Sequence, residues 1–302
     1  ILSGDQLYQM DFNEMLEAHI DNGADISIAT LPVNAKDAPE FGILKTNDAN
    51  FIEAFIEKPA AELLPQWESD VSEEMKQQGK HYLASMGIYI FNKKLLIELM
   101  KNPETKDFGK EIIPQAVGKQ KILSYQYEGY WTDIGNIESF FDANIGLTND
   151  IPDFNLFDND NKIYTRPRLL PPSKFKSTHL DNSLISEGCI INAKAIKKSV
   201  IGNRSRIGEG TVIENSYIMG NDFYQSLTDM KEDIENENQL IGIGERCYIN
   251  HALVDKNCRI GNDVYINGGK HLTNCSEELY CIKDGIVVIK KGKTLPDNFR
   301  IE

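Results

Sequence analysis

The sequence predicts an α/β domain with a largely parallel, doubly wound sheet, followed by a parallel β-helix. Three observations carry this reading. Strand-like and helix-like stretches alternate over residues 1–148, the rhythm of repeated βα units. From about Asn182 aliphatic residues recur every six positions instead, as in Ile201, Ile207, Ile213 and again Val254, Ile260, Ile266. Between the two rhythms lies a proline-bearing connector, Tyr164–Phe175 with Pro167, Pro171 and Pro172, which resists both helix and central strand.

The first half reads element by element. Ile1–Ser3 is a short apolar run ending in Gly-Asp, and Phe12–Ile20 puts Met15, Leu16, His19 and Ile20 on one helical stripe. Ala24–Leu31 reads as a buried strand, with further strands at Phe41–Leu44, Phe51–Ile56, Tyr82–Phe91 and Ile122–Tyr127. Leu95–Met100 and Ile137–Leu147 read as helices. In the second half glycine follows the aliphatic residue at Ile201-Gly202, Ile207-Gly208, Ile243-Gly244 and Ile260-Gly261. That is the hexapeptide signature of a β-helix, in which stacked coils bury one continuous aliphatic column. Asn221–Leu240 interrupts the pattern with Lys231, Glu232, Asp233, Glu235 and Glu237, and is expected to leave the coil as an extruded loop, long enough to allow a short helix. The boundary between the halves is expected near residue 165.

Composition narrows the function classes. Hydrophobic residues make up 41% and charged residues 26% of 302, the proportions of an ordinary globular protein. The formal net charge is -14 and no basic stripe is present, which argues against a nucleic-acid partner. No apolar run is long enough for a membrane span. The five cysteines include no close pair, which fits a reducing, cytoplasmic setting and apolar filler roles. An acidic protein that handles phosphates must place its positive charge locally.

Several motifs supply candidate chemistry. Asp5, in Ser3-Gly4-Asp5, follows a strand at the place where open α/β sheets bind ligands, and its carboxylate suits Mg²⁺; a turn or capping role is the simpler alternative. Lys58, in Phe55-Ile56-Glu57-Lys58-Pro59, is a strand-end point charge for a phosphate, with Glu57 able to accept from sugar hydroxyls. Ser85 and Tyr89 lie in a β-rich run with small neighbours. Asp107 is expected to cap a helix starting at Phe108. Asp133, in Tyr130-Trp131-Thr132-Asp133-Ile134-Gly135, is a second strand-end carboxylate, and Trp131 could flank a sugar ring. His251 and His271 are the candidate bases if the β-helix instead served an acyltransferase.

Taken in order, Ile1–Tyr8, Phe41–Leu44, Phe55–Pro59, Ala84–Tyr89, Asp107–Pro114 and Tyr130–Gly135 resemble the motifs of the ADP-glucose pyrophosphorylase family. The connector Leu170–Lys174 and the coil Val254–Gly261 extend the resemblance over essentially the whole chain, nearest to its plant and cyanobacterial branch. The resemblance implies a sugar nucleotidyltransferase (Rossmann-like) domain over residues 1–165 and a left-handed parallel β-helix over 166–302. It implies glucose-1-phosphate adenylyltransferase chemistry with Mg²⁺, ATP and glucose 1-phosphate, and a homotetramer. Asp5 and Asp133 match the metal-binding aspartates, and Lys58 matches a catalytic position on the sugar phosphate. Gly42, Glu57, Ser85, Tyr89, Asp107, Phe108 and Trp131 match the rest of the glucose-1-phosphate pocket. Lys256 and Lys290 match lysines tied to a phosphorylated-metabolite effector. The family's glycine-rich loop with its arginine does not occur before Asp5, so these residues alone are expected to be inactive and to belong to a longer protein. A non-catalytic regulatory subunit, or a transferase for another sugar 1-phosphate, shares most of these motifs.

Overall fold

A computed structural model describes residues 1–101 and 107–302. The chain divides into two compact units, Ile1–Trp131 and Thr132–Glu302.

The first unit is built on a five-stranded sheet. Its strands are β2 (Ile26–Asn34), β3 (Gly42–Thr46), β4 (Ile52–Glu57), β5 (Lys80–Phe91) and β6 (Ile122–Gln126), in the order β4-β3-β5-β2-β6. The short strand β1 (Gln6–Tyr8) precedes them, and β7 begins at Trp131. Strand β2 is buried along nearly its whole length, as its unbroken Ile-Ser-Ile-Ala-Thr-Leu run predicts for a central strand. The strand positions follow the sequence reading, but their directions do not. Only β2 and β6 run parallel, while β4–β3, β3–β5 and β5–β2 are antiparallel. The reason is local. Asn47 accepts from the N–H groups of Ala49 and Phe51, and Asn50 takes φ +60°, so β3 and β4 are joined by a tight turn that permits only an antiparallel pair.

Helix α1 (Phe12–Asp21) is capped by Asp11, which accepts from Asn13 N–H at 2.8 Å. It buries Met15 and His19 but leaves Leu16 and Ile20 exposed, so the apolar stripe is narrower than expected. Residues 15 and 19 stack on one face of a helix, whereas 16 and 20 are turned about 100° away. His19 Nδ1 lies 2.8 Å from Ser27 Oγ, which satisfies both buried groups. Shorter helices α2 (Glu73–Gln77), α3 (Lys93–Leu99) and α4 (Ile113–Ala116) complete the unit. Ile26, Ile28, Leu44, Ile113, Ala116 and Ile122 form a core on the face that also carries Tyr89.

The second unit is a parallel β-helix with helix α5 (Ile137–Gly146) laid against it. Helix α5 buries Phe141 and Ile145 against Leu253 and Ile286, which is why it belongs to this unit. The coils stack in register. One inward column runs Ile185, Ile201, Ile218, Val254, Ile289. A second runs Ile191, Ile207, Ile243, Ile260, Leu295. The third runs Ile196, Ile213, Ile249, Ile266, Ile301. Each fully buried side chain contributes about 1.5–3 kcal/mol relative to exposure. A Cβ on Gly208 would stand 2.5 Å from the carbonyl carbon of Gly244, and one on Gly244 would stand 2.5 Å from Gly261 O; the glycine after the aliphatic residue lets neighbouring coils close up.

The interruption expected at Asn221–Leu240 is present, and its helix is α6 (Leu227–Glu235), capped by Ser226. A second excursion, with strands at Cys275–Ser276 and Tyr280–Lys283, returns antiparallel to Ile286–Ile289. No charged block like Lys231–Glu237 sets this excursion off in the sequence, and its apolar run Leu279–Ile282 resembles the coil strands around it. All five cysteines are free, and Cys189, Cys247 and Cys258 are buried in the coil core, as filler. Among the described residues no helix is long and apolar enough to cross a membrane.

Candidate active site

The site in the first unit is assembled from the start of β3, the end of β4 and the interior of β5. Gly42 pairs with Glu57 across the β3–β4 hairpin. A Cβ on Gly42 would lie 2.8 Å from Glu57 Oε2 and 2.6 Å from Phe55 Cζ, so only glycine leaves room for that carboxylate. The same Oε2 lies 3.4 Å, and Asp107 Oδ1 3.5 Å, from where a Cβ on Gly109 would stand. Glu57 and Asp107 therefore flank Gly109, bringing together two acceptors that are distant in sequence.

Asp107 caps a single π-helical turn, Phe108–Ile112, accepting from Lys110 N–H at 2.9 Å, while Glu111 returns to the Asp107 N–H at 3.2 Å. The capping role expected of Asp107 is thus present, and the widened turn is of a kind frequent at functional sites. Phe108 stacks on Tyr89 with ring centroids 5.7 Å apart. Burial pushes the Tyr89 phenol above its usual range, a hydrogen bond from Ser85 opposes this, and nearby Glu57 and Asp107 add to the rise. Gly42, Glu57, Ser85, Tyr89, Asp107 and Phe108 thus share one neighbourhood.

Lys58 follows directly. Its N–H donates to Phe41 O at 3.0 Å, its φ is +47°, and Pro59 behind it is buried. A non-glycine residue in this region costs on the order of 1–2 kcal/mol, the kind of strain that concentrates at ligand sites. The side chain is exposed. Phe41 also meets the Trp131 ring edge-on at 5.5 Å, and Trp131 Nε1 donates to Gln6 Oε1 at 3.2 Å.

Asp5 precedes Gln6 in an exposed loop, where Ser3 Oγ donates to its Oδ1 at 2.5 Å. This loop is tied to β5. Tyr89 N–H donates to Ile1 O at 3.0 Å, and a Cβ on Gly87 would meet Gln6 Nε2 at 3.2 Å. Gly87, at φ +69°, forms the bulge of β5 where Ile28 opposes Tyr89 but Thr30 opposes Ser85. Gln6, Phe41, Gly87 and Gly109 had no role assigned from sequence. Each stands inside a quoted motif, and only contacts across strands reveal what it touches.

Asp133 belongs to the other unit, where it ends β7 (Trp131–Asp133), is half-buried and accepts from Gly135 N–H at 2.7 Å. Among the described residues no group of three or more His, Cys, Asp or Glu side chains is placed to hold a metal. In the β-helix, Lys256 Nζ pairs with Asp222 Oδ1 at 2.7 Å, which together with Asn257 holds that carboxyl below its usual range. Lys290 Nζ donates to Glu277 O and lies 3.4 Å from Ser276 Oγ. The two lysines lie in the same stack, with Gly292 N–H donating to Lys256 O at 2.9 Å. His251 Nδ1 lies 2.9 Å from Asn215 Nδ2, and the His251 ring packs edge-on against Phe141 at 5.0 Å. His251 is thus engaged in packing, and burial lowers its pKa.

Residues 1–150 match the nucleotidyl transferase family, and residues 168–299 match the GLGC left-handed parallel β-helix domain. The chain belongs to the nucleotidyl transferases that carry a GLGC β-helix. It is 40% identical over 306 residues to the glucose-1-phosphate adenylyltransferase small subunit, chloroplastic/amyloplastic, of Triticum aestivum. That match covers 98% of this chain, which spans 65% of the relative's length. Within the transferase domain, the constellation of Gly42, Glu57, Ser85, Tyr89 and Asp107 offers acceptors for hydroxyls beside an aromatic floor. Lys58 adds a nearby cation.

Proposed function

We propose that this chain serves glucose-1-phosphate adenylyltransferase chemistry, in which ATP and glucose 1-phosphate give ADP-glucose and diphosphate. The observation that supports it most is the convergence of Glu57 and Asp107 on Gly109 beside the Tyr89–Phe108 stack. Two carboxylates acting only as acceptors suit a polyol, and a stacked aromatic pair suits the apolar face of a pyranose. Lys58, exposed at the end of the same strand as Glu57, would hold the phosphate. The relative from Triticum aestivum is named for this reaction.

In the reaction a sugar-phosphate oxygen forms a bond to the α-phosphorus of ATP. The bond from that phosphorus to the bridging oxygen breaks, and diphosphate leaves with the electron pair. The nucleophile is already anionic and needs no general base, so the protein's part is positioning and charge stabilisation. Glu57 and Asp107 orient the sugar, and Lys58 offsets the charge of its phosphate. Asp5 and Asp133 are the proposed Mg²⁺ ligands. Each uses one oxygen in a local hydrogen bond and retains a second carboxylate oxygen of the hard type that Mg²⁺ takes. When bound, the ion would neutralise phosphate charge. The proposed setting is the cytoplasm, and the proposed assembly is a homotetramer regulated by a phosphorylated metabolite acting near Lys256 and Lys290.

The test is calorimetric titration of the 302-residue chain with glucose 1-phosphate, against glucose 6-phosphate and galactose 1-phosphate. Saturable binding that is lost in both Lys58→Ala and Glu57→Gln supports the assignment. Binding that survives both substitutions, or that ignores the sugar, removes it. ADP-glucose formation from ATP with and without Mg²⁺ then tests turnover separately.

A further inference from the structure

The first β-helix excursion roofs a cavity of about 320 Å³, within the range of roughly 300–1,000 Å³ typical of small-molecule sites. Its floor is the outer surface of the coils that carry Ile207, Ile243 and Ile260, and its roof includes Ile234 of α6. Along that floor the outward positions are Arg206, Gly242 and Arg259 in succession. Gly242 has φ +120°, and a Cβ there would stand 2.9 Å from Arg206 Cβ. The missing side chain leaves a notch between two arginines.

The two arginines have different fates. Arg259 pairs with Asp233 Oδ2 at 2.7 Å and donates to Gln239 O, so it fastens the excursion to the coil. Gln225 reinforces the fastening by accepting from Ile241 N–H at 3.1 Å. Arg206 is half-buried, lines the cavity, and makes no side-chain hydrogen bond or ion pair among the described residues. The two carboxylates at the cavity wall find their cations elsewhere, Glu209 in Lys176 at 3.3 Å and Glu245 in Arg246 at 2.8 Å, a guanidinium that it shares with Asp263. Among the described residues Arg206 is therefore the one cation that lines the cavity, and neither lining carboxylate pairs with it. A partly desolvated cation without a partner is costly, and a guanidinium matches carboxylate and phosphate oxygens bidentately.

We propose that this cavity is a binding site for a small hydroxylated organic anion, held by its phosphate or carboxylate on Arg206. The amide side chains of Asn192 and Gln239, which also line the cavity, would take the hydroxyls. The site lies wholly in the β-helix unit and shares no residue with the Glu57–Asp107 pocket.

The test uses the 302-residue chain and two probes, glycerol phosphate for the phosphate arm and lactate for the carboxylate arm. Saturable binding of either supports the site and identifies the anionic group. Arg206→Gln is expected to weaken that binding about tenfold or more, the loss of one charge-assisted contact. Arg206→Lys should recover part of it, and Lys58→Ala should leave it unchanged. Failure of both probes to saturate, unchanged binding in Arg206→Gln, or loss in Lys58→Ala each overturns the proposal. Phenylglyoxal labelling of the unaltered chain, read by peptide mass, avoids dependence on a folded variant. Arg206 should be modified without probe and protected with it, and absence of protection counts against the site.

Discussion

Substituting Gly42 by alanine perturbs the candidate site through space alone, leaving the chemical identity of Glu57 and Lys58 unchanged. The new methyl would stand 2.6 Å from Phe55 Cζ and 2.8 Å from Glu57 Oε2, distances that require movement. Both atoms are the far ends of side chains, so relief comes by rotating Phe55 and Glu57 rather than by shifting the sheet. Overpacking of this kind costs about 1–3 kcal/mol, and the mobile neighbours put Gly42→Ala at the low end, near 1 kcal/mol. The larger effect falls on ligand binding. Displacing Glu57 removes a charged acceptor whose hydrogen bonds contribute about 1.5–3 kcal/mol, or roughly a 10- to 150-fold rise in the Kd for glucose 1-phosphate. Urea denaturation measures the first quantity, and calorimetry on the same preparation the second. In a Glu57→Gln background the alanine should add little further loss, because both changes act on one carboxylate. Unchanged affinity in Gly42→Ala, or full additivity with Glu57→Gln, would refute the idea that Gly42 exists to admit Glu57.

Four further outcomes are expected. Lys58→Gly should leave stability unchanged or raise it by up to about 1 kcal/mol, because it relieves the φ +47° backbone, yet it should abolish glucose-1-phosphate binding; thermal melts and calorimetry read the two effects separately. Ile213→Ala, at a fully buried position in the middle of its column, should cost about 2–5 kcal/mol, measured by urea denaturation followed by far-UV circular dichroism. Burial pushes the Cys258 thiol up to about 11 from an ordinary value of 9.0. Its contribution to stability is therefore complete below pH 9.0 and is lost as pH rises towards about 11, and Cys258 should resist iodoacetamide at pH 8 until the chain is unfolded. Asp233→Asn should loosen the excursion by weakening its ion pair with Arg259, seen as faster amide exchange across residues 225–240 with the coil core unchanged.

Local rules determined much of this protein. The six-residue spacing placed the aliphatic columns because each coil has one inward position per face, and Ile201, Ile207, Ile213, Val254, Ile260 and Ile266 all lie in such columns, whereas Ile190, six before Ile196, stands at the outward position beside Arg206. The polar stretch Asn221–Leu240 announced its departure from the coil because Lys231, Glu232 and Asp233 have no apolar face to bury. Asp107 announced its cap, and the aliphatic runs announced the strands of the first unit. The direction of β3 against β4 is local too, set by a turn that depends on Asn47 and Asn50, but the antiparallel pairing of β5 with both β3 and β2 was decided by tertiary structure. The purpose of Gly42 is invisible without the opposing strand, since a glycine looks alike whether it makes room for a carboxylate or only bends a turn. Arg206 and Arg259 are equivalent outward positions in the sequence pattern, and only the fold of α6 over the coil gives one a partner and leaves the other without. Periodic burial is a property of each segment by itself; the position of one charged group against another depends on which segments meet.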